Sequence, residues 1–208
     1  MNVYELDSRR WNVSIGVDLG KMKDYTAIAI LMRPERVTRT FGRQPWETWE
    51  EREQAPAELR YLERLPLGTP YVEVVRKVAA VARLEGLGRG RKKLVVDATG
   101  VGTPVVEMLR AARTGCDLKP VVITSGTGER YGSGTYYVAK TDLMTGLRTS
   151  LELQDVAIAS RLAETPALVK ELAGFGGSGH DDMVMALALA LWGVKVRTVG
   201  ERSDGPIV

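Results

Sequence analysis

Four aspartates sit where their chemistry would be conspicuous. Asp18 closes the apolar segment VSIGVDLG (13–20), Asp97 ends KKLVVDATG (92–100), and Asp181 and Asp182 open DDMVMALALALWGVKV (181–196). Strands are depleted in Asp, and a carboxylate amid Ile15, Val17 and Leu19 is costly unless it is paired or bound to a metal. The end of an apolar strand, where Asp97 lies, is where β→α connections place ligand and catalytic groups. If the two strands are neighbours and the last helix packs across their ends, the carboxylates converge. Left alone, such a cluster repels itself and some of its pKa values rise. Its stable use is to hold hard divalent cations through oxygen, as Mg²⁺ and Mn²⁺ sites do. Two such ions can activate a water and stabilise the leaving oxygen of a phosphodiester. That chemistry requires neither a catalytic histidine nor a cysteine, and the chain has one of each, His180 and Cys116.

Each acid also has an ordinary alternative. Asp181 and Asp182 suit a helix start through capping and the helix dipole. Asp97 could cap the helix that begins at Thr103. Only the conjunction points to a site. Lys140, after a glycine-rich loop, is either a solvated lysine or a phosphate contact. His180 is either a turn residue or a neighbour of the metal site. Arg130 and Tyr131 could touch nucleic acid through charge and stacking. The basic run at 89–93 reads as a solvated turn.

The elements that must position these residues are legible in part. VSIGVDLG places Val13, Ile15 and Val17 on one strand face and Ser14, Gly16 and Asp18 on the other. TAIAILMR (26–33) reads as the second arm of an antiparallel hairpin, across a turn with Lys21, Lys23 and Asp24. From 34 to 57 the pattern breaks up, with Trp46 and Trp49 as the large apolar anchors, and predicts an insertion or wide turn packed over the core. ELRYLERLPL (58–67) is a third strand. Thr69 and Pro70 then open a helix through Arg83 as N-cap and first helical residue, with Val72, Val75, Val78, Ala79 and Ala82 on its apolar side. Strands at 92–97 and 118–126 enclose a helix from Thr103. A glycine-rich hairpin or loop covers 124–140, followed by a helix over 141–153, an edge strand at 155–160, a helix over 164–175, and the helix at 181–196. The tail at 201–208 reads as frayed. Strand–helix alternation after residue 70 argues an α/β sheet with a parallel portion.

The chain has 208 residues, a length that fits one domain, 1–208, with ample chain to bury a core. Its 44% hydrophobic and 26% charged residues exclude a disordered or collagen-like chain. One cysteine cannot close an internal disulfide, and one Cys with one His cannot make a zinc site. No apolar run is long enough to span a bilayer, and the expectation is a soluble protein of a reducing cytoplasm without a membrane partner. The net charge of +3 permits a polyanionic partner without demanding one.

The order of motifs resembles the ribonuclease H superfamily and, within it, the C-terminal nuclease domain of the large terminase subunit of bacteriophages and other viruses. The resemblance rests on GVDLGKMKDYTAIAIL (16–31), LVVDATGVGTPVVEML (94–109) and HDDMVMALALALWG (180–193), and extends over nearly the whole chain. RuvC-type junction resolvases share the plan. The resemblance implies a mixed sheet, three antiparallel strands then parallel ones, flanked by helices. It also implies two-metal cleavage of double-stranded DNA during genome packaging, with Mg²⁺ or Mn²⁺. By position, Asp18 would bridge both ions, Asp97 would bind one, and Asp182 would complete the site, with Asp181 assisting or exchanging roles. Resolvases often place another Asp a helical turn later, where this chain has Met185. The implied partners are an ATPase motor, a portal and a small terminase subunit, in the cytoplasm of an infected host.

The chain contains no G-x-x-x-x-G-K-[ST] phosphate loop. The ATPase motor is therefore expected to be absent: the chain is either the excised C-terminal half of a longer protein or a nuclease encoded alone. Three rivals remain. One is a Holliday-junction resolvase-like nuclease. Another is an ATP-binding phosphotransferase of the sugar kinase and actin-like fold, with VDLGKMKDYT and VDATGVG as phosphate loops. The third is a non-catalytic DNA-binding packaging module on the same fold.

Overall fold

The computed structural model describes residues 4–20, 24–41, 48–88, 92–100, 103–174 and 180–195. The strands are β1 (Tyr4–Asp18), β2 (Ala27–Phe41), β3 (Thr48–Gln54), β4 (Ala57–Arg64), β5 (Lys92–Asp97), β6 (Asp117–Thr124), β7 (Glu129–Gly132), β8 (Thr135–Ala139) and β9 (Val156–Ile158). The helices are α1 (Tyr71–Ala82), α2 (Thr103–Ala111), α3 (Lys140–Glu152), α4 (Thr165–Gly174) and α5 (Asp182–Lys195). The strands make one mixed sheet in the order β7-β8-β6-β5-β1-β2-β4-β9, with β3 added to the far half of β2. β1, β2 and β4 are antiparallel, whereas β5, β6 and β8 run parallel to β1. This is the α/β plan that the ribonuclease H-like resemblance implies.

Both faces of the central strands are covered, which explains their nearly unbroken apolar sequence. Val13, Ile15, Val17, Ile28 and Ile30 pack with Val74, Val78, Val105 and Leu109 of α1 and α2. Ala27, Ala29, Leu31 and Val95 pack on the opposite face against α5, joined by Leu143 and Leu147 of α3 and Leu168 of α4.

Two glycine positions set how α5 lies on the sheet. A Cβ on Gly16 would stand 2.1 Å from the Ala186 carbonyl oxygen and 2.4 Å from the Ala190 nitrogen. A Cβ on Gly193 would meet Ser14 Oγ at 2.2 Å. The helix backbone therefore rests directly on β1, antiparallel to it. The two strand residues from Ser14 to Gly16 span roughly 6.6 Å, which four to five residues of helix match at about 1.5 Å each. One more step of the same size brings Asp18 to the first turn of α5. Register and packing deliver Asp182 to Asp18.

Several expectations need correction. The stretch expected as an insertion or wide turn over the core is largely strand: β2 continues to Phe41, and β1 begins at Tyr4 to pair with it. β3 then returns along β2 from Phe41↔Thr48 to Glu35↔Gln54. Alternating Arg and Thr in β2 opposite acidic positions of β3 suit a two-sided polar ribbon, as in the cross-strand pair Arg36–Glu53 at 4.0 Å. Trp46 lies outside the described residues, and Trp49 is exposed rather than anchored in the core.

In α1 the cap is Pro70, whose carbonyl accepts the N–H groups of Glu73 and Val74, while the Thr69 hydroxyl donates to the Pro66 carbonyl. The buried stripe includes Val74 and Val81, and Val72 faces solvent. The glycine-rich stretch at 124–140 contains the hairpin β7–β8. The turn lysines Lys21 and Lys23, residues 89–91 of the basic run, most of GGSGH and the tail lie outside the described residues. Among the described residues no helix is long and apolar enough to cross a membrane.

Candidate active site

Parallel pairing of β1 with β5 sets Val17 opposite Val96, so Asp18 and Asp97 end adjacent strands side by side. Burial holds the Asp18 carboxyl well above the ordinary value of 3.8, and the charges of Asp97, Asp182 and Asp181 push it further in the same direction. The structure thus brings all four aspartates within electrostatic reach at one end of the sheet. Asp97 Oδ1 also accepts the N–H of Thr99 at 2.7 Å, which fixes the turn leaving β5 rather than the start of α2.

Neither Asp181 nor Asp182 is the acid that meets the Met183 and Val184 N–H groups in the first turn of α5. Glu171 of α4 is: its Oε2 accepts the N–H groups of Met183 at 3.0 Å and Val184 at 3.2 Å. A helix presents free N–H groups in its first turn, and a carboxylate from another helix meets them here. The Asp182 side chain is 7% exposed and lies 3.8 Å from both Arg64 Nη2 and His180 Nδ1. Its Oδ2 is buried and accepts no hydrogen bond among the described residues. Burial raises the Asp182 carboxyl, while Arg64 and His180 pull it back down. Asp181 is half-exposed and pairs with Lys140 Nζ at 2.8 Å.

Sequence reasoning missed Arg64 and Glu171. Arg64 ends β4 and stands in register with Ala27, which is opposite Asp18, so it belongs to the same row of the sheet. It forms an ion pair with Glu171, and its guanidinium lies 5.1 Å from the centre of the Tyr25 ring. That ring meets the His180 imidazole edge-to-face at 5.0 Å. The Gly20 backbone lies close against that of Asp24 and Tyr25: a Cβ there would stand 2.2 Å from the Asp24 carbonyl oxygen. A signal for Glu171 was present, since it falls on the stripe of Leu168 and Leu172, where an unpaired charge is unfavourable.

Arg130 and Tyr131 are not brought to the carboxylates. They lie on β7, four strand positions from β1 and so roughly 19 Å away. The Arg130 guanidinium covers the Tyr137 ring at 3.8 Å. Tyr131 is exposed and begins a series of ring contacts through Tyr136 to Trp192.

The donors suit a hard divalent ion: they are oxygen ligands, mutually repelling, and the buried Asp182 Oδ2 accepts no hydrogen bond among the described residues. As they stand, no three such side chains among the described residues are gathered tightly enough to enclose one ion. Lys140 and Arg64 supply the local positive charge.

No family model matches the chain, and no curated protein matches it. Among solved structures it is similar to Thermus thermophilus RuvC, at 16% identity over 86% of this chain and 90% of that one, with a TM-score of 0.34. It is likewise similar to T. thermophilus RuvC in complex with Holliday junction substrate, at 15% identity over 86% of this chain and 90% of that one, with a TM-score of 0.36.

Proposed function

We propose that this chain is a metal-dependent endonuclease that hydrolyses phosphodiester bonds of double-stranded DNA, acting in viral genome packaging. The observation that carries the reading is the division of labour among the acids. Glu171 takes the Met183 and Val184 N–H groups in the first turn of α5, and the Asp182 carboxyl faces Asp18 instead. A buried carboxyl raised by three neighbouring aspartates is costly unless a bound cation offsets the repulsion.

Asp18, Asp97 and Asp182 would hold Mg²⁺ or Mn²⁺, two ions in all, with Asp181 assisting. Bound there, the ions supply Lewis-acid activation of a water and charge stabilisation at the leaving oxygen. The protein's own groups prepare that step. Asp18, whose carboxyl burial and its acidic neighbours hold well above the ordinary value, must be ionised to act as a ligand. Lys140, at the rim beside Asp181, is placed to meet a backbone phosphate. Arg130 and Tyr131, on the edge hairpin, would touch the duplex away from the scissile bond. His180 stands beside Asp182, its Nδ1 3.8 Å from the Asp182 Oδ2.

The packaging role, beside an ATPase motor, portal and small terminase, is supported by the three quoted motifs. Met185 is buried in the apolar face of α5, so this helix offers no further carboxylate one turn on, which favours the packaging nuclease over a junction resolvase. The test is incubation with supercoiled plasmid and Mn²⁺, beside an Asp18→Ala control. Nicked and linear products from the wild type alone are expected. Intact plasmid in both would remove the nuclease reading, and equal cutting by both would place the activity elsewhere.

A further inference from the structure

Arg64 faces two carboxylates with one guanidinium. It forms an ion pair with Glu171, and Asp182 approaches it at 3.8 Å. Glu171 is 9% exposed and divides its oxygens: Oε2 takes the Met183 and Val184 N–H groups, and Oε1 takes Arg64. We infer that Glu171 is a positioning residue that retains Arg64 and so keeps the guanidinium from closing on Asp182, leaving that carboxylate available to a divalent cation. The inference rests on the proposed metal-dependent reading and adds a regulator of the site's affinity.

The physical argument is one of competition. A guanidinium and a divalent cation both seek the same buried carboxylate, and each disfavours the other by like-charge repulsion. The charge of Arg64 is largely cancelled while Glu171 is ionised beside it. Neutralise Glu171, and an uncompensated cation is left within reach of an oxygen that has no hydrogen bond. Tyr25, whose ring lies 5.1 Å from the guanidinium, keeps Arg64 on this side of the site. Groups one step removed from a metal commonly change its affinity about ten- to a hundredfold when altered.

The experiment is direct Mn²⁺ binding to the full chain, by calorimetry or by loss of the free Mn²⁺ electron paramagnetic resonance signal, with melting curves as a check on folding. Glu171→Gln keeps an acceptor for the α5 N–H groups but removes the charge, and is expected to weaken binding about tenfold or more. Glu171→Asp, which keeps the charge, should stay near wild type. The double variant Arg64→Met, Glu171→Gln should recover most of the lost affinity, because the competing cation is gone.

Unchanged binding in Glu171→Gln overturns the inference. So does a double variant as weak as the single one, which would mean that Glu171 acts through the helix start alone. Should Glu171→Gln not fold, Arg64→Met alone carries the test: tighter Mn²⁺ binding than wild type supports the inference, and equal or weaker binding refutes it. Failure of the underlying reading looks different. There the wild type itself shows no saturable Mn²⁺ binding, or binds no better than Asp18→Ala.

Discussion

Asp18 and Asp97 end adjacent parallel strands side by side, and burial together with the charge of Asp97 holds the Asp18 carboxyl well above its ordinary value. Between the ordinary value of 3.8 and that raised one, the folded chain therefore holds a proton that the unfolded chain has released. Stability rises with pH where the unfolded state binds more protons, and here the folded state binds more. In chelator, this group's contribution must fall as pH climbs from about the ordinary carboxylate value through the raised folded one. Thermal melts across that range are expected to show it, and Asp18→Asn should flatten the slope. At neutral pH the same variant should melt higher than wild type by a few degrees, since ~1 kcal/mol shifts Tm by about 2–4 °C at this length.

Divalent ions should reverse that penalty. A ligand that binds only the folded state adds about 2.7 kcal/mol at a hundred times its dissociation constant. Mn²⁺ and Mg²⁺ are expected to raise Tm in the wild type and to leave Asp18→Ala and Asp97→Ala unmoved. Differential scanning fluorimetry with a chelator control reads both. The same assay with ATP and Mg²⁺, compared with Mg²⁺ alone, separates the kinase-like rival, for which nucleotide should add a further shift.

Gly16 is where sheet geometry and site geometry meet. Gly16→Ala would place a methyl 2.1 Å from the Ala186 carbonyl, and neither backbone can move cheaply. A loss of about 3 kcal/mol in urea unfolding is expected. Because α5 must shift outward, Mn²⁺ affinity should fall in the fraction that remains folded.

Lys140 should behave in the opposite way. Its pair with Asp181 is half-exposed, so Lys140→Ala should change stability by less than about 1 kcal/mol. If the ammonium meets a phosphate, DNA affinity should drop and the dependence of log K on log salt should lose about one charge. Fluorescence anisotropy over a salt series measures both quantities.

Much of this was legible along the chain because it is local. The alternation around Asp18 marked a strand with one apolar face, and the apolar run before Asp97 marked a second strand ending in an acid; that the two adjoin, and which helices cover which face, follows from the fold. The ribbon of β2 and β3 was obscure, since strands of alternating Arg, Thr and Glu satisfy one another across the ladder rather than through a core. Asp181 and Asp182 could not be separated from ordinary helix-start acids by inspection. The deciding residue, Glu171, lies on another helix and reaches α5 only after folding. Arg64 was hidden for the same reason: its place in the row of Asp18 follows from register, which no short motif records.

Diffraction from crystals grown with Mn²⁺, with anomalous data at the manganese edge, tests the central claim most directly. Two anomalous peaks among the oxygens of Asp18, Asp97 and Asp182, lost in Asp18→Ala, are expected. Manganese bound elsewhere, or no ordered manganese beside these carboxylates at saturating concentration, would contradict the account.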